Sequence, residues 1–328
     1  MMVVLENAIL FVGLGNNRFK LDEIIQMASL DAVEAAYGEG SCFYKAAKNA
    51  LTFSSKDMYF LNLDSWERIK YHAREIADLD IDYLVPLNLY LDETYYDDFY
   101  DKTLSFTQLI LSFLSNTVTT VIMTGKHASN YEDLDSFLDE ESRRIENVQP
   151  ELVNVNKENL IYVANNLKGI DFANALLASL LIETDYGEYP RSSSLPEAVF
   201  EIDFSDVENE LAYFKNNHLV ETTVENLVNF SIDHTTKPVT VKRILKYFHF
   251  HRPDNLKYIG KAYSEYKKVM IAEELDEFLA KLVGWLIYKY DIYSVSDVSY
   301  EPGSVDIILK YDIWPKFTTE RITLEYGN

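Results

Sequence analysis

Two rhythms of apolar residues alternate along this chain. Short, nearly unbroken apolar runs at residues 8–13, 57–63, 83–87, 119–124 and 159–164 have the pattern of strands buried on both faces. Between them, apolar residues recur every three or four positions, the period of a helix with one buried side. This predicts helices over 30–37, 41–51, 66–77, 104–114, 131–146 and 172–183. Ser29 is placed to cap the first, which Gly38 and Gly40 stop. From Asp82 onward the strict alternation of strand and helix predicts an α/β fold, a mostly parallel sheet with helices on its faces.

The rhythm changes after residue 200. A helix is expected over 206–216 and a strand over 224–233, and then a polar turn near 235–238 opens a basic segment. Beyond it we expect a short strand at 248–252, a basic helix over 255–270 and an amphipathic helix over 273–290. The latter carries Leu275, Phe278, Leu279, Leu282, Trp285 and Leu286. Strands over 295–300, 305–313 and 320–326 follow, separated by Glu301-Pro302-Gly303-Ser304 and by Trp314-Pro315. With a second boundary near 79–82, the expected segments are 1–80, 81–237 and 238–328.

Composition narrows the partners. A 328-residue chain that is 48% hydrophobic can build two or three sizeable cores. Its single cysteine, Cys42, excludes an intramolecular disulfide and a cysteine metal cluster, and points to a reducing compartment. No window approaches the roughly 20 apolar residues of a membrane span, and no leader pattern opens the chain. A net charge of −23 argues against nucleic acid. The charge is uneven, however: residues 237–289 hold eleven basic against six acidic side chains, a local +5 that leaves −28 elsewhere. Such asymmetry marks either a charge-matched partner surface or a solvated helix face.

Catalytic patterns fail on spacing. Gly13-Leu14-Gly15 follows a strand, but the third glycine of a dinucleotide fingerprint would fall at Arg18. Asp82, His127 and Ser192 to Ser194 occur in the order of subtilisin-type proteases, yet the serines lie between Pro190 and Pro196 with no small-residue helix after them. A serine hydrolase would require Asp82, His127 and Ser193 to converge. His249 and His251 would share a strand face, but no carboxylate pattern completes a metal site. The acidic runs Asp92-Glu93 and Tyr95 to Asp98 lack the glycine and spacing of a calcium loop, and are expected to be solvated. We therefore expect no enzyme activity, no cofactor and no metal.

The order of several motifs is similar to that of the tail sheath proteins of contractile phages and related injection systems. Ala8 to Gly13 resembles the strand that opens that fold. Ser29-Leu30-Asp31-Ala32-Val33, with Tyr37-Gly38 and Gly40-Ser41, resembles the segment that follows, and Asp57 to Leu61 the next strand. Asp80 to Pro86 looks like the start of the family's central domain. His251-Arg252, Tyr258-Ile259-Gly260, Leu275 to Leu286, Val305 to Ile313 and Glu320 to Leu324 resemble its C-terminal part.

The resemblance implies a subtilisin-like central α/β domain without a triad, a small N-terminal α/β segment and a C-terminal α+β sheath domain. It implies a virion tail protein assembled in the host cytoplasm, stacking with itself in helical rings around a tail tube and meeting baseplate and terminator proteins. Contraction would drive the tube through the host envelope, with terminal strands exchanged between subunits as hinges. Arg321, Ile322, Thr323, Leu324, Glu325 and Tyr326 would form the exchanged strand. Lys257, Lys261, Ser264 and Lys268 fall at i, i+4, i+7 and i+11, one helix stripe that would face the tube. Only Met1 to Asn7 precede the first strand, and the length leaves little room for outer domains, so a sheath-like paralogue in a baseplate or tail cap is the alternative.

Overall fold

The computed structural model describes residues 5–15, 20–53, 58–79, 81–97, 101–115, 117, 119–152, 155, 159–184, 195–200, 212–215, 218–224, 227–230, 246–248, 251, 265–287, 289–297, 304–313 and 316–325. It divides into two units, Met1–Lys242 and Arg243–Asn328.

In the first unit the apolar runs become neighbouring strands. β1 (Leu5–Leu14), β3 (Met58–Leu63), β4 (Ile81–Pro86), β7 (Thr120–Thr124) and β8 (Leu160–Val163) form a parallel block in the order β3-β1-β4-β7-β8. Antiparallel strands flank it: β2 (Ile24–Met27) beside β3, then β11 (Leu227–Phe230), β10 (His218–Val224) and β9 (Ala212–Lys215) beyond β8. The strands expected within 1–80 and within 81–237 thus lie in one nine-stranded sheet. A separate hairpin joins β5 (Thr94–Asp97) to β6 (Lys102–Ser105).

Period-two alternation sends side chains of each parallel strand to two cores. Leu10, Val12, Leu84, Val121, Met123, Leu160 and Tyr162 pack beneath a 3-10 turn (Trp66–His72), α3 (Ala73–Leu79), α4 (Phe106–Phe113) and α5 (Leu134–Val148). Ile9, Phe11, Tyr83, Val85, Ile122, Ile161 and Val163 pack beneath α1 (Leu30–Tyr37), α2 (Cys42–Leu51) and α6 (Ala173–Glu183). Aromatic residues fill the second core, where Phe43 meets Phe60 edge-on at 5.9 Å. Burial on both faces explains why these strands read as continuous apolar runs.

From β1 the chain moves to β3 on one side, then returns past β1 to β4 on the other. The direction therefore switches between β1 and β4, and the parallel strands run 2-1-3-4-5 in chain order. The ladder between β4 and β7 pairs Tyr83 with Thr120 and Leu84 with Val121. Past it, the fully buried Asn174 donates its side-chain amide to the Pro86 carbonyl at 2.9 Å and the Ile122 carbonyl at 3.2 Å. One α6 side chain thus replaces missing sheet partners. Asn174→Ala should cost about 2 kcal/mol by leaving buried carbonyls unpaired, roughly 6 °C in thermal midpoint. An unchanged midpoint in a calorimetric scan would remove that role.

The second unit holds α7 (Glu265–Leu282) and a three-stranded antiparallel sheet of β12 (Lys289–Asp297), β13 (Ser304–Ile313) and β14 (Lys316–Glu325), in that order. Ile271, Leu275, Leu279 and Leu282 form the buried stripe of α7, with Phe248, Leu286 and Ile287 also buried. Tyr290 at the start of β12 donates its hydroxyl to the Asp276 carboxylate at 2.9 Å.

Several expected elements differ, each for a local reason. Residues 212–215 are strand, not part of a helix over 206–216, because they pair with His218–Glu221 of β10; sheet pairing overrides the helical period. Residues 246–248 and 251 are helical where a strand over 248–252 was expected. The Tyr247 and His251 rings stack at 4.0 Å one turn apart, a meeting that a strand does not allow. Helix α7 runs unbroken through 270–273, since Met270, Ile271, Ala272 and Glu273 include no helix breaker and a change of charge does not end a helix. It ends at Leu282 instead of continuing to residue 290, and a turn follows in which Gly284 donates its N–H to the Ile287 carbonyl at 2.9 Å. The acidic stretch after Leu91 is partly inside: Tyr95 is buried and stacks on Phe106 at 4.7 Å, while Asp92 pairs with buried Arg144 at 2.7 Å.

Candidate functional site

The residues singled out for assembly belong to the second unit. In the ladder of β14 with β13, Arg321 lies opposite Ile308, Ile322 opposite Ile307, Thr323 opposite Asp306, Leu324 opposite Val305 and Glu325 opposite Ser304. Among the described residues β14 is an edge of its sheet, with one side paired and ten residues of length. A long edge strand is a template for another chain unless something covers it. Tyr326, Lys257, Lys261 and Ser264 lie outside the described residues, and Lys268 falls within α7.

Aromatic side chains gather at the far end of α7. Tyr247 stacks on His251, meets Trp285 edge-on at 5.1 Å and lies 6.4 Å from Phe278. Trp285 remains 47% exposed, beside the exposed Val283. The expected helix through residue 290 had placed Trp285 on the buried face; the turn after Leu282 brings it outward.

In the first unit a cavity of about 370 Å3 opens where the parallel strands end. Leu14 ends β1, Asn88 follows β4, Lys126 and His127 follow β7, and Asn165 follows β8. Ligands of open α/β sheets bind at this place, next to the direction switch. The sequence carried a signal for it, since each of these apolar runs ends in polar or glycine residues; spacing motifs alone missed it.

The geometry separates the rejected triad. Asp82 is the second residue of β4, whereas His127 follows the last residue of parallel β7, so the two lie toward opposite ends of the sheet. Ser192, Ser193 and Ser194 lie outside the described residues. Both His127 nitrogens are engaged: Nε2 with the Leu167 carbonyl at 2.9 Å, and Nδ1 as acceptor from the Ser129 N–H at 3.1 Å. Burial pushes the Cys42 thiol up to about 11, which keeps it protonated near neutral pH. At the Gly13-Leu14-Gly15 turn, the Gly15 N–H donates to the Asn62 side chain at 2.8 Å, and a Cβ at Gly15 would strike the same amide. The glycine serves this close approach and no phosphate. Among the described residues no cluster of His, Cys, Asp and Glu could hold a metal.

No family model and no curated protein sequence matches the chain. Solved structures do. The sheath tail protein of Desulfitobacterium hafniense superposes with a TM-score of 0.58 at 11% identity, over 98% of this chain and 97% of that one. The anti-feeding prophage helical sheath in its contracted state gives 0.54 at 11% identity, over 100% and 90%. The contracted anti-feeding prophage baseplate gives 0.56 at 8% identity, over 98% and 90%. The chain has the contractile-sheath fold.

Within that fold the chemistry-bearing positions are occupied for packing. Arg144 of α5 binds Asp92 through Nη1 at 2.7 Å and Glu140 through Nη2 at 3.2 Å, with its guanidinium over the Tyr90 ring. Fully buried Glu141 accepts from the Tyr162 hydroxyl at 2.5 Å. Its Oε1 lies 3.7 Å from Arg144 Nε, an ion-pair distance too long for a hydrogen bond. Burial, opposed by Tyr162 and Arg144, pushes the Glu141 carboxyl up to about 7. Among the described residues, no helix of this sheath-fold chain is long and apolar enough to cross a membrane.

Proposed function

We propose that this chain is a structural subunit of a contractile tail sheath, polymerising in rings around a tail tube and contracting to drive the tube through the host envelope. The observation that carries the reading is similarity over both units at once, 98–100% of this chain. A shared α/β core alone would say little, because such cores serve many functions. The partners follow from the reading: further copies of the chain, a tube protein, and baseplate and terminator proteins, in a virion tail assembled in the host cytoplasm. The sheath segments would be 1–80, 81–237 and 238–328, with a subtilisin-like central domain that lacks its triad. In this role the work is mechanical and needs neither cofactor nor enzyme activity.

Two surfaces would serve assembly. The edge position of β14 supports strand exchange through Arg321 to Tyr326, in which backbone hydrogen bonds add one chain to the sheet of the next. The stripe Lys257, Lys261, Ser264 and Lys268 would meet an acidic band on the tube. Exposed ion pairs contribute about 0–1 kcal/mol each, which suits a sleeve that must slide. Electron microscopy of the protein mixed with its tube protein should show striated hollow sleeves. Ending the chain after Thr319 should abolish them, and Lys→Glu changes at 257, 261 and 268 should weaken tube loading while the subunit stays folded. Sleeves that persist in the truncated chain would remove strand exchange. The likeness to the anti-feeding prophage baseplate favours a second reading, a sheath-like baseplate or cap protein; single rings without stacking would select it.

A further inference from the structure

One charge cluster in the first unit leaves a bond unmade. The Arg144 side chain of α5 is 7% exposed, and its guanidinium is shared among three carboxyl groups. Nη1 meets Asp92 at 2.7 Å and Nη2 meets Glu140 at 3.2 Å. The remaining edge has no such bond. Nε is buried with no hydrogen-bond partner among the described residues, and Glu141 Oε1 stands 3.7 Å away. Buried orphan donors are rare, and this one faces a carboxyl that would attract it more strongly once ionised.

Glu141 has little freedom to approach. Its Oε2 accepts from the Tyr162 hydroxyl of β8 at 2.5 Å, and it lies so close to Gly125, just after β7, that a Cβ there would be 1.9 Å from the same oxygen. Tyr131, ahead of α5, reaches Oε1 at 3.5 Å. The guanidinium is therefore the group that moves, and Asp92 is the partner it leaves. Glu140 has a second cation, Arg143, at 2.6 Å, whereas Arg144 is the one ion-pair partner of Asp92 among the described residues. The Asp92 side chain is also 22% exposed, so water can replace the lost contact.

Asp92 stands at the root of the β5–β6 hairpin, which pairs within itself and apart from the nine-stranded sheet. Three contacts fasten that root: Asp92 with Arg144, Tyr95 stacked on Phe106, and the Phe106 N–H donating to the Glu93 carbonyl at 3.1 Å. The next residue along, Tyr96, is 57% exposed.

We propose that Glu141 and Asp92 compete for Arg144, so that the proton on Glu141 sets how firmly the β5–β6 hairpin is held. With Glu141 neutral, Arg144 stays on Asp92 and latches the root. With Glu141 ionised, the Arg144 Nε–H bonds to it, the guanidinium draws away from Asp92, and the hairpin is held by Tyr95 and the main chain. Burial raises the Glu141 carboxyl to about 7, so the latch loosens as pH climbs past neutrality. Tyr162, Tyr131, Arg144 and Glu140 face Glu141, and Glu93 and Arg143 act on the Asp92 side of the cluster. The latch needs no partner, so it acts in the isolated subunit whatever that subunit assembles into.

Amide hydrogen exchange of the full chain at about pH 5.5 and about pH 8.5, scaled to the unstructured rate at each pH, reads the latch in β5 and β6. Protection of these amides in the wild type should fall about tenfold between the two conditions. Glu141→Gln cannot ionise and should hold it constant. Asp92→Asn keeps the shape but removes the charge that holds Arg144, so protection should already be about tenfold lower at the acidic pH and change no further. Because Glu141 still titrates in Asp92→Asn, this variant separates the latch from a general loss of stability. Constant protection in the wild type, an equal fall in Glu141→Gln, or the full fall retained in Asp92→Asn overturns the proposal.

Discussion

Gly125→Ala should destabilise the first unit by about 4 kcal/mol, the combined cost of overpacking and of displacing a buried, hydrogen-bonded carboxyl, and lower its thermal midpoint by roughly 8–16 °C. Gly125 follows β7 directly, and its N–H faces the Val163 carbonyl at 3.4 Å. A methyl group on its Cα would lie 1.9 Å from Glu141 Oε2 and 2.5 Å from the carboxyl carbon. A flexible carboxylate at a surface would swing aside at little cost. Glu141 has no such freedom, since it is fully buried and holds the Tyr162 hydroxyl through that same oxygen. Moving it breaks the buried hydrogen bond between the Tyr162 hydroxyl and this carboxyl. The cause has its own check. In Gly125→Ala/Glu141→Ala the obstacle is gone, so the combined loss should fall short of the sum of the single losses by at least about 1 kcal/mol. Losses that simply add would show that the methyl group clashes elsewhere.

The stability of the same unit should fall as pH rises from about 4.5 to about 7, and Glu141→Gln should abolish that part of the fall. The Glu141 carboxyl ordinarily titrates near 4.5 and is raised to about 7 in the folded chain, first by burial. The folded state therefore holds a proton that the unfolded state releases. Its stabilising contribution is complete below the unfolded value, shrinks as pH rises between the two, and is gone above the folded one. The interval corresponds to at most about 3 kcal/mol. Tyr162, Tyr131, Arg144 and Glu140 all act on the carboxyl, so the wild type must be compared with the variant at each pH. Glutamine keeps a partner for the Tyr162 hydroxyl and cannot ionise. The stability difference between the two proteins should change across this window and level off on either side. A constant difference from pH 4 to 8 would mean that Glu141 titrates in the folded chain as it does in the unfolded one, with burial offset by Tyr162 and Arg144.

These two residues show where the sequence stopped informing. Glu141 sits in an acidic helix and reads as solvated, like Glu140 beside it. Only the packing of α5 against β8 brings it to Tyr162, far along the chain. Gly125 reads as a turn glycine, and its need for a bare Cα comes from a carboxylate sixteen positions away. In the same way Asn165 reads as loop polarity until the strand ends are brought together around the cavity.

Other parts were legible because their signals are local. A strand buried on both faces must be apolar throughout, so the five parallel strands could be read directly, with β1, for example, expected at 8–13 and found at Leu5–Leu14. Helices with one buried side must repeat every three or four residues, so α1, α2 and α6 start and stop near their expected ends, and Ser29 does cap α1. The hairpin β5–β6, the strand at 212–215 and the end of α7 were less accessible. Each depends on a partner strand or a turn that competes with helical period, and the outcome is decided by energies of tertiary contact that no local pattern contains. By itself, then, the sequence determined the α/β class, the strands and helices of the doubly covered core and the absence of a nucleotide fingerprint. Tertiary structure alone decided the strand order, the direction switch between β1 and β4, the cavity this opens and the ionisation of Glu141. All of these arise from residues distant in the chain meeting in a low-dielectric interior, where a single neighbour changes what a side chain can do.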